Sequence, residues 1–207
     1  MKYIPELIYL LTITLSLSCT GHRKTDNILT HAEEIIESNP DSTLILLSSI
    51  GDEAGNMSES RRMRYMLLLT QAMNKTDIPL DTMAGVEEMA EHFNSHGNSN
   101  DKMKANYMLG CVYRDRGDAP TALFHFRNAT TFADTSAVDC DFRTLSRIYG
   151  QIATLFYHQL TPELSHEAEL KAVAYAEKAK DTIAAIIFYE HLGSTYHMRG
   201  KYDSVLY

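Results

Sequence analysis

Chemistry at neutral pH needs side chains that titrate, attack or ligate, so the nine histidines and three cysteines of this 207-residue chain come first. His92 and His96 stand four apart, a spacing that on an unbroken helix lets two imidazoles share a metal ion. Asn94, Ser95, Gly97 and Asn98 around them instead predict a helix that is ending in a solvated loop. His191 and His197 are six apart and fall on different sides of their helix. The sequence holds no His-Glu-x-x-His, Cys-x-x-Cys, glycine-rich phosphate loop or Gly-x-Ser-x-Gly. Activated water, dithiol exchange, nucleotide cradling and an activated serine therefore have no recognisable motif. The reading is of a protein that is not an enzyme, with no catalytic residue, no metal site and no cofactor. The acid pairs Glu33–Glu34 and Glu87–Glu88 lie on the polar faces of amphipathic stretches, where solvated surface explains them. Cys111 and Cys140 could pair in an oxidising compartment if their Cα atoms came within about 7 Å; two partly buried thiols is the simpler reading.

The elements that would position such side chains are helices. The chain is 44% hydrophobic and 22% charged, enough to bury a core, and only ten Gly and five Pro punctuate it. Twelve Tyr, ten Met and no Trp build that core from medium-sized side chains. A net charge of −8 disfavours phosphate backbones and anionic headgroups, which argues against a nucleic-acid partner.

An internal repeat orders these helices. Leu109, Gly110, Tyr113, Arg116 and Gly117 recur as Leu192, Gly193, Tyr196, Arg199 and Gly200, each displaced by 83 positions. Between them Ile152, Ala153 and Phe156 take the Leu, Gly and Tyr places, and Leu68 and Leu69 begin an earlier copy. Each copy precedes a second amphipathic stretch, at residues 83–93, 119–133 and 167–179, with apolar side chains every three or four positions. In the middle one Asp118 predicts an N-cap, Pro120 suits the first turn, and Ala122, Phe126 and Ala129 form the inward stripe. Gly117 and Gly200 suit left-handed residues that close the preceding helices. A further pair, residues 26–38 and 41–50 around Pro40, predicts an N-terminal cap. Short turns make each pair antiparallel, and one pair alone cannot bury its own apolar face, so pairs must stack.

The Leu-Gly-x-x-Tyr of the first helix, the second Gly seven residues later, and Ala122 with Phe126 in the second helix resemble the tetratricopeptide repeat. The resemblance covers about residues 59–207 and implies an all-α fold, a right-handed superhelical solenoid of antiparallel helix pairs. Two departures stand out: Asn106 replaces the family's aromatic, and copies spaced 41, 43 and 40 residues apart exceed the usual period, with longer loops such as Leu160–Ser165 expected to absorb the excess. The resemblance also implies a concave groove lined by first-helix side chains: Lys104, Tyr107, Cys111 and Arg114, then Arg147, Gly150, Thr154 and Tyr157, then Ile187, Glu190, Ser194 and His197. The family's carboxylate clamp needs Lys and Asn where this chain has Tyr107 and Cys111, so the expected partner is a peptide or protein segment of another kind.

At the N-terminus, Lys2 is followed by an apolar stretch from Leu7 to Leu17 and then Cys19, the outline of a signal peptide. Ser16, Leu17 and Ser18 before Cys19 resemble a bacterial lipobox, which implies lipidation of Cys19 and a membrane-tethered, exported lipoprotein, periplasm-facing or at the outer membrane. The layout is similar to repeat lipoproteins of Bacteroides-type bacteria. Asp-Ser/Thr-apolar triplets at Asp81, Asp181 and Asp203 resemble the O-glycan acceptor of such proteins and are equally natural helix starts. The expected organisation is a signal peptide over 1–18, a linker over 19–25, a capping pair over 26–58, and repeats over about 59–99, 100–138, 139–180 and an incomplete 181–207. Because the last copy stops at Val205, Leu206 and Tyr207, inside its second helix, the chain reads as the N-terminal part of something longer. The function expected from all this is a non-catalytic interaction scaffold or sensory input domain of the cell envelope. The alternatives are a glycan-binding helical-repeat lipoprotein, which the lack of Trp disfavours, or the periplasmic sensor of a membrane-spanning transcriptional regulator.

Overall fold

The computed structural model describes residues 23–198 and 200. Residues 1–18, Cys19, Asp203 and Arg199 lie outside them. The described residues are helical with short connections and contain no strand. They divide into two compact units, one up to Ile78 and one from Pro79 on, a boundary that falls inside the repeat expected over 59–99.

The first unit holds α1 (residues 23–35), α2 (Pro40–Ser48), a 3-10 turn (Gly51–Asn56) and α3 (Glu59–Lys75). Asn39 caps α2 by accepting the Ser42 amide at 3.2 Å, with Pro40 in the first turn where its missing N–H costs nothing. Leu29, Ala32 and Ile36 recur at three- and four-residue spacing and meet Leu47 and Ile50 and then Tyr65, Leu68 and Ala72 in one buried cluster. Along the flank of this cluster Arg61 pairs with Asp26, Arg64 with Glu33 and Lys75 with Glu37, at 2.7, 2.6 and 2.8 Å. These partly exposed pairs fix register more than they stabilise.

The second unit holds α4 (Val86–His96), α5 (Ser99–Asp115), α6 (Ala119–Thr131), α7 (Phe142–His158), α8 (Pro162–Lys178) and α9 (Thr182–Met198). Each packs against the next, and α5 also touches α7. Four of these six helices start on a side-chain cap. Asn98 and Asp101 form a reciprocal capping box on α5. Asp118, Asp141 and Asp181 cap α6, α7 and α9 by accepting the amides of Thr121, Thr144 and Ala184. Asp181, one of the expected glycan-acceptor positions, is thus engaged as a helix cap, and its other oxygen lies 3.2 Å from Arg143 Nε.

The ends of α3, α5, α7 and α8 share one turn. Asp77, Gly117, Leu160 and Lys180 all have φ between 55° and 78°. In each case the next amide reaches back five residues: Ile78 to Met73, Asp118 to Tyr113, Thr161 to Phe156 and Asp181 to Ala176, at 2.9 to 3.0 Å. This double-backed closure satisfies the orphan carbonyls of a helix end. Glycine meets the left-handed requirement at 117, whereas Leu160 and Lys180 meet it with a Cβ in place.

The helices approach closely where small residues stand. Ala122, Phe126 and Ala129 are fully buried, and a Cβ on Gly110 would lie only 2.4 Å from the Phe126 ring. At the α7–α8 crossing Ser165 donates to the Ala153 carbonyl and Ser146 to that of Ala172, at 3.0 and 2.8 Å. Asn106 is accounted for here. Its amide donates to Asn94 on α4, its carbonyl accepts from Asn128 on α6, and the three helices are joined by one half-buried side-chain ladder.

Two expectations need correction. Residues 162–165 are not loop: α8 begins at Pro162, and the longer period is taken up by 17-residue helices and the segment between Thr131 and Phe142. The helix carrying His92 and His96 does not end before His96. Its last turn is completed, the two rings stand 4.9 Å apart, and His96 Nδ1 is already engaged with the His92 carbonyl at 3.1 Å. Asn94, which had suggested a break, is held by Asn106.

Candidate functional site

A cleft of about 290 Å³ opens where α7, α8 and α9 meet. Thr154, Tyr157 and His158 line it from α7, Glu169 from α8, and His191 and Ser194 from α9. Residues four and seven apart share a helix face, so Thr154 and His158 look into it together, as do His191 and Ser194 one turn apart. Ile183 and Ile187, 74% and 44% exposed, continue the α9 face toward its N-terminus.

The floor is polar and buried. Glu169 is 3% exposed, and its Oε2 stands 3.0 Å from the fully buried Thr195 hydroxyl. Thr195 Oγ1 also lies 3.0 Å from the Leu192 carbonyl and 3.2 Å from His166 Nδ1. A hydroxyl has one proton and two lone pairs. When Thr195 donates to Leu192, the contact to Glu169 is a hydrogen bond only if the carboxyl carries its own proton. When Glu169 is ionised, Thr195 must donate to it instead. Burial pushes the Glu169 carboxyl up to about 7, and the Thr195 hydrogen bond opposes this only in part. Glu169 therefore changes charge near neutrality. Its Oε1 has no hydrogen bond among the described residues.

A hydroxyl, an imidazole and a carboxyl in contact invite comparison with a nucleophilic triad. Such a triad needs the acid to orient the base and the base to reach an accessible hydroxyl. Here acid and imidazole both bond to Thr195, whose side chain is fully buried. Among the described residues no three His, Cys, Asp or Glu stand close enough to hold a metal ion.

The residues expected to line a groove divide. Thr154, Tyr157 and Ser194 are brought together in the cleft. Ile187, Glu190 and His197 are exposed on α9 beside it, and Arg147 is half-buried on α7. Tyr107 and Cys111 belong to the core instead, 5% and 0% exposed, because α4, α6 and α7 all pack on α5. Burial pushes the Cys111 thiol up to about 12, and Cys111 and Cys140 are both free. Gly150 is buried against Phe188, whose ring would be 2.4 Å from a Cβ there. Lys104 is tied to Asp141 at 3.0 Å, and Arg114 is spent on Asp115 and Gln151 at 2.8 and 2.9 Å. Those two cations clamp α5 to the start and middle of α7.

His158, Glu169 and His191 enter the site from the structure alone. Glu169 did carry a signal. It falls at a buried position of the stripe Ser165, Ala168, Ala172, Val173, Ala176, where a carboxylate is out of place. A second, shallower hollow in the first unit, lined by Arg23, Lys24, Asn27, Ile28, His31 and Leu46, has no buried polar floor. No protein-family model matches the chain, and no curated protein matches its sequence.

Proposed function

We propose that the chain is a non-catalytic binding scaffold of the tetratricopeptide type, exported and lipid-anchored through Cys19, that holds a peptide segment of a protein partner in the cleft between α7 and α9. One observation carries the reading: Thr154, Tyr157 and Ser194, which the repeat register assigns to a ligand-facing groove, line a single cleft. The exposed Ile183 and Ile187 supply an apolar approach to it, the mix of apolar flank and polar pocket that peptide-binding helical surfaces use. The shared left-handed turns at Gly117, Leu160 and Lys180, and the small residues at successive crossings, support stacked antiparallel pairs. Among the described residues no helix is long and apolar enough to cross a membrane, so on this reading the tether is the acyl chains on Cys19.

Peptide display against the full chain, followed by calorimetry of the selected peptides, tests the proposal. Thr154→Arg and Ser194→Arg should each weaken binding at least tenfold, while Ile45→Arg on the exposed face of α2 should not. Absence of peptide binding, or binding indifferent to both cleft substitutions, would overturn it. Metabolic labelling with radioactive palmitate tests the anchor, which predicts loss of label in Cys19→Ser.

A further inference from the structure

The cleft is lined by acceptors. Thr154 commits its only hydroxyl proton to the Gly150 carbonyl at 3.0 Å, and Ser194 directs its own to the Glu190 carbonyl at 3.4 Å. Both therefore turn lone pairs to the cavity. Glu169 lines the same space, its Oε2 is taken up by Thr195, and its Oε1 has no hydrogen-bond partner among the described residues. His158 and His191, when neutral, each bring one acceptor and one donor nitrogen, and Tyr157 adds an aromatic face and a hydroxyl that can accept. No lysine or arginine lines the cleft. A carboxylate or phosphate would meet the lone pairs of Thr154 and Ser194 and a desolvated acid at the floor. A group that only donates hydrogen bonds and carries positive charge would find a partner at each wall. The volume of about 290 Å³ lies at the lower end of ligand pockets and fits one long side chain rather than a whole peptide. The net charge of −8 draws cations toward the molecule as a whole.

From this geometry we infer that the cleft is a receptor for one cationic side chain of the bound segment, the guanidinium of an arginine or the ammonium of a lysine, seated on Glu169 Oε1. The inference rests on the peptide-binding reading above and names the chemistry of the peptide it takes. An incoming cation favours ionised Glu169, at which point Thr195 turns its proton from Leu192 to Oε2 and the carboxylate is held on both oxygens. The titratable groups facing Glu169 are Tyr157 and His158 from α7, His166 from α8 itself and His191 from α9. Acid conditions protonate Glu169 and remove the charge that a cationic ligand needs.

Calorimetry with the full chain at pH 8 and five-residue peptides Gly-Gly-Xaa-Gly-Gly provides the test. With Xaa as arginine or lysine, binding should be at least tenfold tighter than with citrulline, norleucine or glutamate, should fall at least tenfold between pH 8 and pH 5.5, and should be lost in Glu169→Gln. If that variant fails to fold, the citrulline and norleucine arms decide alone. Peptides that bind equally well with arginine and citrulline overturn this inference and leave peptide binding standing. Butylammonium or butylguanidinium binding that depends on Glu169, with no peptide bound, keeps the cation site and overturns the peptide as its source. No binding by any probe overturns both.

Discussion

Replacing Gly110 by alanine is the most direct test of how the second unit is packed. A methyl there would lie 2.4 and 2.5 Å from two ring carbons of Phe126, about 1 Å inside ordinary contact. The ring cannot swing away freely, since Phe126 is fully buried and packs against Tyr107 at 5.8 Å between centroids. Overpacking a tight core costs about 1–3 kcal/mol. With a rigid, enclosed ring as the obstacle the upper end applies, roughly 3 kcal/mol. Against this, alanine is favoured over glycine in a helix interior by about 1 kcal/mol. The net expectation is a loss of roughly 2 kcal/mol, which for a chain of this size lowers Tm by about 4–8 °C.

Urea unfolding followed by circular dichroism, with calorimetry alongside, measures both quantities. Phe126→Leu alone should cost roughly 1–2 kcal/mol, a part of the 3–5 kcal/mol of complete truncation. The double variant should lose less than the sum of the two by at least about 1 kcal/mol, because the leucine vacates the space the new methyl needs. A Gly110→Ala chain as stable as the parent, or more stable, would refute the crossing: it would mean that position 110 behaves as an ordinary helical glycine. Gly150→Ala should follow the same pattern more weakly, since Phe188 lies nearer the surface, 9% exposed.

Other outcomes follow from the turns and the charges. Leu160→Gly should raise stability by roughly 0.5–1 kcal/mol in the same urea assay, because removing a Cβ from a left-handed residue saves about 1–2 kcal/mol and glycine's extra unfolded freedom returns part of it; a loss would show that the Leu160 side chain is engaged. Asp141→Ala should cost about 1–2 kcal/mol at pH 7 through the lost N-cap. Burial raises the Asp141 carboxyl, but Lys104 and the amide and hydroxyl of Thr144 outweigh it and hold the group below its ordinary range. Its contribution is therefore present above its unfolded value near pH 4 and lost as pH falls through the depressed folded value, so parent and variant should converge in acid. Glu169 has the opposite sign. Its folded value of about 7 lies above the unfolded one, so stability is full below about pH 4.5 and is lost as pH rises through 7. Glu169→Gln should abolish that decline and, at pH 9, exceed the parent by an amount on the order of 2–3 kcal/mol; parallel pH profiles for parent and variant would contradict the buried acid.

The helices and their caps were legible because they rest on local chemistry. Asp118, Pro120 and the stripe of Ala122, Phe126 and Ala129 stand where the spacing placed them. The left-handed stops were legible only where glycine marks them. At Leu160 and Lys180 the closure is imposed by the hydrogen bonds of Thr161 and Asp181 and by the packing on either side, and neither residue type announces it. The groove register failed on α5 for a reason also present in the sequence. From Ala105 to Val112 eight consecutive residues are buried, and Asn106 is the one polar side chain among them. A helix apolar around its whole circumference is a covered helix, not one with a ligand-facing side. On α7 and α9, where exposed polar residues alternate with buried ones, the same register placed Thr154, Tyr157 and Ser194 in one cleft.

The buried acid follows from the same small residues that let the helices approach. Ala168, Ala172 and Ala176 run along α8 at four-residue spacing, so α8 meets its neighbours through its backbone rather than through bulky side chains. Ser146 can then reach the Ala172 carbonyl, and Phe188 and Leu192 of α9 pack directly on Ala172, Val173 and Ala176. Close approach draws Glu169 into a space that water barely enters. A leucine there would fill the space and stabilise the unit, because an ionised buried carboxyl with one hydrogen bond costs more than apolar packing. A carboxyl held there against that cost, one oxygen on Thr195 and the other open to the cleft, is placed to bind rather than to stabilise. On the inference drawn above, Glu169 is the residue on which selectivity for a cationic side chain turns.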